Sequence, residues 1–211
     1  MTQAGNERAQ AMQAPQGSVI GILLEQHAAI RDLFGMVNEA EGGRRRQRFD
    51  DLRQLLAVHE AGEQAVLRPV TREIAGDAVA EARIREETAA GEAIAALEKM
   101  EVDSPEFASA FADFERAVSD HAGREEDQEF PALLGERSPE VLEELGRMLV
   151  AGQAEESARQ QSGHGDVGDC SPFAELLAHA RQAFAGDWPA PLRDGSDRTL
   201  AGVDGDLGPV A

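Results

Sequence analysis

Apolar residues recur with a helical period along most of this chain, and in four successive stretches a histidine or glutamate interrupts the apolar stripe. The first stretch follows Ser18, runs to about Glu41 and carries Ile20, Leu23, His27, Ile30, Phe34 and Val37 on one face, so His27 is expected to point at the core. Gly42 and Gly43 end it. The second, about 46–68, carries Leu52, Leu55, Leu56, His59, Glu63, Val66 and Leu67, and Pro69 is expected to close or bend it. Gly76 and Asp77 mark the next start, with Asp77 as N-cap. The third stretch runs to about Met100 with Ala80, Ile84, Glu87, Ala90, Gly91, Ile94 and Leu97 on one side. Of the adjacent Glu86 and Glu87 only one can face inward. Glu87 keeps step with Ile84 and Ile94, and Glu86 falls about 100° away, toward solvent. Ser104-Pro105, an N-cap followed by proline at the first helical position, opens a fourth stretch with Phe107, Phe111, Phe114, Val118, His121 and Glu125.

Helices of about 20 residues, each roughly 30 Å long, joined by short connections favour antiparallel neighbours. The expected fold is all-α: an up-down-up-down four-helix bundle over residues 18–136. Residues 1–17 are polar and read as a loose N-terminus. Ser138-Pro139 opens a further helix, about 139–160, set against the bundle or a partner. A loop over 161–170 leads to Ser171-Pro172 and a short amphipathic helix with Phe173, Leu176, Leu177, Ala180 and Phe184. Residues 137–186 thus form a C-terminal helical extension. Residues 187–211, rich in Gly, Asp and Pro, read as a disordered tail, with Trp188 and Pro189 packing it to the bundle.

Composition narrows the function classes. A formal charge of −20 over 211 residues argues against nucleic-acid or anionic-membrane binding. Aliphatic, Ala- and Glu/Arg-rich composition, with 4% aromatic residues and no Tyr, suits helices. The run Arg44, Arg45, Arg46, Arg48 reads as a solvated turn. Cys170 is the only cysteine, so no intramolecular disulfide can form. The N-terminus lacks the apolar core of a secretory signal, and no apolar run approaches a membrane span of about 18 residues. A cytoplasmic location is expected.

The chemistry lies in a repeat. Residues 59–69 read HEAGEQAVLRP and 121–131 read HAGREEDQEFP; in each, Glu follows His by four positions and Pro follows that Glu by six. Positions i and i+4 share a helix face, so an imidazole and a carboxylate there can reach one point. His27 lies 32 residues before His59, and Glu87 lies 34 before His121. The candidate metal ligands are therefore His27, His59, Glu63, Glu87, His121 and Glu125, three imidazoles and three carboxylates. Burying these in an apolar bundle is costly without cations. Mixed N/O donors suit iron or manganese, with zinc possible, and their number suits two ions.

The segments LLEQHAAIRDLF, LLAVHEAGEQAVLRP and VSDHAGREEDQEFPALL resemble the hemerythrin-like domains, also called HHE cation-binding domains, over roughly residues 19–135. The resemblance implies an antiparallel four-helix bundle and two Fe ions with a bridging oxo or hydroxo group. It implies His27, His59 and His121 as terminal ligands, with Glu63 and Glu125 as bridging carboxylates. The third helix departs from the family pattern. Oxygen-carrying members place two histidines there, four residues apart; this chain has Glu87, flanked by Arg83 and Gly91. Arg83 cannot ligate and Gly91 has no side chain. A carboxylate-richer centre favours higher iron oxidation states, and a missing ligand, with room at Gly91, leaves an open position. Members with carboxylate substitutions of this kind are associated with peroxide or nitric oxide handling.

The expected function is thus a non-haem di-iron protein reacting with hydrogen peroxide or O2, catalase-like, rather than carrying O2 reversibly. The alternatives are an O2-, NO- or iron-sensing module without turnover, its output through the C-terminal helices, and a structural bundle without metal. The expected partner is a small molecule (H2O2, O2 or NO). Glu126 and Glu129 read as solvated, Glu126 being the substitute ligand if the fourth helix is rotated; Glu25 and Glu60 read as exposed. His164, His179 and Cys170 carry no assigned role.

Overall fold

The computed structural model describes residues 2–162 and 171–185, and every regular element among them is helical. His164, Cys170, Trp188, Pro189 and the tail 187–211 lie outside the described residues. In chain order the helices are α1 (Gln3–Ala11), α2 (Val19–Glu39), α3 (Gly42–Gly62), α4 (Arg68–Ala75), α5 (Asp77–Leu97), α6 (Pro105–Arg124), α7 (Phe130–Glu136), α8 (Pro139–Ser162) and α9 (Phe173–Ala183). Two π-helical turns, Glu63–Leu67 and Glu125–Glu129, join α3 to α4 and α6 to α7. Four rods result: α2, α3–α4, α5 and α6–α7. No described helix is long and apolar enough to cross a membrane.

The π turns explain the repeated proline. A proline ring inside an α-helix lacks an N–H and clashes with the carbonyl four residues back. Here the helix widens by one residue just before it. The Arg68 N–H reaches the Glu63 carbonyl and the Phe130 N–H reaches the Glu125 carbonyl, each five residues back, the spacing of a π turn. Pro69 therefore does not close the helix, which runs on to Ala75.

The rods turn tightly. Gly76 alone links α4 to α5, at φ 86° and ψ 166°, a conformation open essentially to glycine. It takes the N-cap position expected of Asp77, which pairs with Arg72 at 2.9 Å instead. Ser18 and Ser104 cap α2 and α6, accepting from the Gly21 and Phe107 N–H groups. Within the basic run, Arg45 is a staple rather than a solvated residue: it donates to the carbonyls of Val37 and Val102 and to Asp103.

The core divides into two apolar layers. One joins Leu23, Leu24, Val66, Leu67, Phe130 and Leu133 with Leu142, Leu145 and Leu149 of α8. The other joins Ile30, Phe34, Phe49, Leu52, Leu56, Ile94, Phe107, Phe111 and Phe114 with Phe173 of α9. The polar positions of all four rods fall between these layers. The N-terminus is not loose. α1 is capped by Thr2 and packs on α2 through fully buried Glu7, paired with Arg31, and through Arg8, 2.6 Å from Asp32. Ion pairs rather than an apolar stripe hold it, so hydrophobic periodicity gives no sign of it.

α8 approaches the bundle closely because its contact positions are glycines. A Cβ on Gly146 would lie 2.0 Å from the Gly17 carbonyl oxygen, and one on Gly152 would strike the Phe184 ring. Gly35, toward the C-terminal end of α2, has nothing within 4 Å of such an atom. Gly146→Ala is expected to destabilise the fold by about 1–3 kcal/mol through overpacking against backbone. Gly35→Ala is expected to stabilise it by roughly 0.5–1 kcal/mol. Chemical denaturation of both variants checks the pair.

Candidate metal centre

Four of the six candidates converge. One donor atom from each of His27, His59, Glu63 and Glu125 falls in a group within 4.8 Å of one another, all buried. His27 Nε2 lies 3.4 Å from Glu125 Oε2, and His59 Nε2 lies 3.4 Å from Glu63 Oε1. On the other side, His121 Nε2 lies 3.3 Å from Glu125 Oε1 and 3.8 Å from Glu63 Oε2. Glu63 and Glu125 thus turn one oxygen toward the His27–His59 pair and the other toward His121. Glu63, Glu87 and His121 form a second group of donors.

Each imidazole is aimed by a neighbouring helix. His27 Nδ1 donates to Glu126 at 2.9 Å, His59 Nδ1 to Gln26 Oε1 at 2.8 Å and His121 Nδ1 to Glu86 at 3.0 Å. Fixing Nδ1 as the donor leaves Nε2 as the inward atom, the usual arrangement for a metal-binding histidine. Three inward atoms, His27 Nε2, Glu63 Oε1 and Glu125 Oε2, are buried without a hydrogen-bond partner. Buried polar atoms are rarely left unpaired, and three at one point, one nitrogen and two carboxylate oxygens, fit a cation.

An arginine also enters the site. Arg68 is 2% exposed. It donates from Nε to Glu87 at 2.7 Å, from Nη1 to Glu129 at 2.8 Å and from Nη2 to Glu63 at 3.3 Å and to Glu125. Gln64 takes the other Glu87 oxygen at 2.8 Å. Burial opposes the Arg68 charge, but these carboxylates outweigh it and keep the guanidinium protonated.

The hemerythrin HHE cation binding domain matches residues 18–133, more than half of the chain. This protein belongs to the hemerythrin HHE family. No curated protein and no solved structure matches it. Family membership implies binding of a metal cation, and the buried His/Glu group is the candidate site.

Several acidic residues sit differently from expectation in this hemerythrin-family site. Glu126 and Glu86, read as solvated, orient His27 and His121; Glu86 also lies 2.7 Å from Arg83 and 3.1 Å from Arg124. Each stands about 100° from an inward neighbour, a flank that a packed bundle closes. Glu129, also read as solvated, is buried against Arg68 and Thr71. Glu60 is buried as well. Glu25 is exposed, as expected. His179 is tied to Glu156 at 2.8 Å, away from the site. Arg68 carried no sequence signal. Five residues beyond Glu63 on a regular α-helix is about 140° around the axis; only the π turn brings it to the same face.

The third rod supplies Glu87 alone. Arg83 is occupied by Glu86 and lies 3.4 Å from Glu129. Gly91 does not open onto the donors: a Cβ there would meet the Phe173 ring of α9 at 3.7 Å. Free space lies instead beside His27, His59 and His121, in a cavity of about 30 Å³ walled by Ile30, Phe34, Leu56 and Val118. That is the scale of one or two water molecules. Glu60 also faces it, and burial pushes its carboxyl up to about 8.

The charges around the donors set a proton competition. Burial alone would lower the His27 imidazole, but the nearby Glu125, Glu126 and Glu63 carboxylates outweigh it and hold it at about 9. Burial pushes His59 down to about 4. Without an ion, His27 is therefore protonated at neutral pH, and an ion must displace that proton. A raised imidazole pKa favours the competing form. Affinity should accordingly rise with pH between 6 and 9, by up to about tenfold per unit for one displaced proton. Zn2+ titrations at pH 6, 7 and 8, with proton release recorded, check this; an affinity flat with pH would remove His27 from the ion's surroundings.

Proposed function

We propose that this protein is a non-haem iron protein that decomposes hydrogen peroxide, two H2O2 giving two H2O and one O2, rather than a reversible O2 carrier. The observation that carries the reading is the contact between a carboxylate-rich donor cluster and a small, mostly apolar cavity of about 30 Å³. His27, His59, Glu63 and Glu125 would hold one ion, and His121 and Glu87, sharing Glu63 and Glu125, would serve a second. Bound iron supplies the electron exchange by which one peroxide is reduced and another oxidised. The apolar walls admit a molecule of peroxide size and exclude bulk water, while Glu126, Gln26 and Glu86 keep the three imidazoles aimed. Glu60 is the carboxyl placed to hold a proton at the cavity wall.

One contact favours a second reading, a sensor of O2, NO or iron. Gln64, which holds Glu87, also accepts from Arg181 of α9 at 2.9 Å, so a change at Glu87 has a path to the C-terminal helices.

Iron-loaded protein should evolve O2 steadily from peroxide, and His121→Ala should lose most of that turnover while remaining folded. An oxygen electrode alongside iron analysis measures this. A fully loaded protein with no turnover, but with protease sensitivity over 139–186 that responds to NO or O2, would favour the sensor.

A further inference from the structure

The two ends of the donor cluster are not equivalent. At the His27–His59 end, His27 Nε2, Glu63 Oε1 and Glu125 Oε2 have no hydrogen-bond partner. At the His121 end, the carboxylate oxygens are already taken. Arg68 holds Glu63 Oε2, Glu125 Oε1 and Glu87 Oε1, and Gln64 holds Glu87 Oε2. These are the oxygens that an ion beside His121 would need.

We infer that Arg68 makes the two cation positions of this centre unequal: the chain binds one ion tightly at the His27–His59–Glu63–Glu125 end, and a second beside His121 only weakly. The inference rests on the reading of the cluster as a cation site, and concerns how many ions it holds and why.

Two features support it. A guanidinium cannot give up its charge to make way for a metal, and a second cation would face like charge at short range. Arg68 is also held in place, since its side chain is buried and its Nε, Nη1 and Nη2 each donate to a carboxylate.

Mn2+ titration of the full chain, followed by metal analysis and electron paramagnetic resonance, tests this without relying on activity. The wild type should bind one Mn2+ per chain with an isolated-ion signal, and a second at least about tenfold more weakly. Arg68→Met should bind two with similar affinity and give a spin-coupled signal. Arg68→Lys, which keeps the charge, should retain the one-ion behaviour. Two equal ions in the wild type would overturn the inference while leaving the cation-binding reading intact. An unchanged single step in folded Arg68→Met would do the same. If Arg68→Met does not fold, the wild-type titration still decides. No Mn2+, Fe2+ or Zn2+ uptake by the wild type would remove both this inference and the reading beneath it.

Discussion

Burying a cluster of carboxylates between two apolar layers is the constraint on which the rest of this molecule depends. Glu63, Glu87, Glu125 and Glu129 are each at most 3% exposed, and an unpaired charge in such surroundings costs several kcal/mol. The neighbourhood answers with positive charge and hydrogen bonds: Arg68 in the middle, Arg83 beside Glu129, three imidazoles, and Thr71 and Gln64 at the edges. Burial raises Glu87 and Glu129 above the usual carboxylate range. Glu63 and Glu125 are lowered despite burial, because His59, His121 and Arg68 charges act on them. The two carboxylates held most firmly ionised are those that face both ends of the cluster.

The repeated His-x-x-x-Glu and its trailing proline form one backbone device. The proline requires a widened turn, and the widened turn changes which residues face inward. After Glu63 it brings Arg68 into the site; after Glu125 it brings Phe130, which stacks on the His27 ring at 5.8 Å. The same irregularity thus delivers a cation in one rod and an aromatic wall in the other. π turns gather at functional sites because they redirect a side chain without breaking the helix.

This device marks the limit of what the sequence discloses. His27, His59, Glu63, Glu87, His121 and Glu125 keep the 3.6-residue period with their apolar neighbours, so periodicity turns all six inward and gives the helical bundle with them. Arg68 breaks that period and is invisible to it. Glu86 and Glu126 fail for another reason: each flanks an inward residue, and a flank is solvent or second layer depending on which helix lies alongside. That is a property of the assembled bundle, since every imidazole is oriented by a residue from a different rod. α1 is hidden because its attachment through Glu7 and Arg8 is ionic.

The extensions beyond the family match both reach the residues that orient the donors. α1 places buried Glu7 on Arg31, which lies 3.9 Å from Glu126, the partner of His27. α9 sets Phe173 against Gly91 and Arg181 on Gln64, the partner of Glu87. α9 is itself held at its start, where Glu98 accepts from the Phe173 N–H and Arg53 donates to the Ser171 carbonyl. Four rods alone would leave the flanks that carry Glu126 and Gln64 open to water, which would weaken each hydrogen bond and charge interaction there. The added helices close those flanks. They keep the dielectric around the donors low and hold in place the groups that orient His27 and Glu87, so the chemistry of the inner cluster depends on segments outside the family domain.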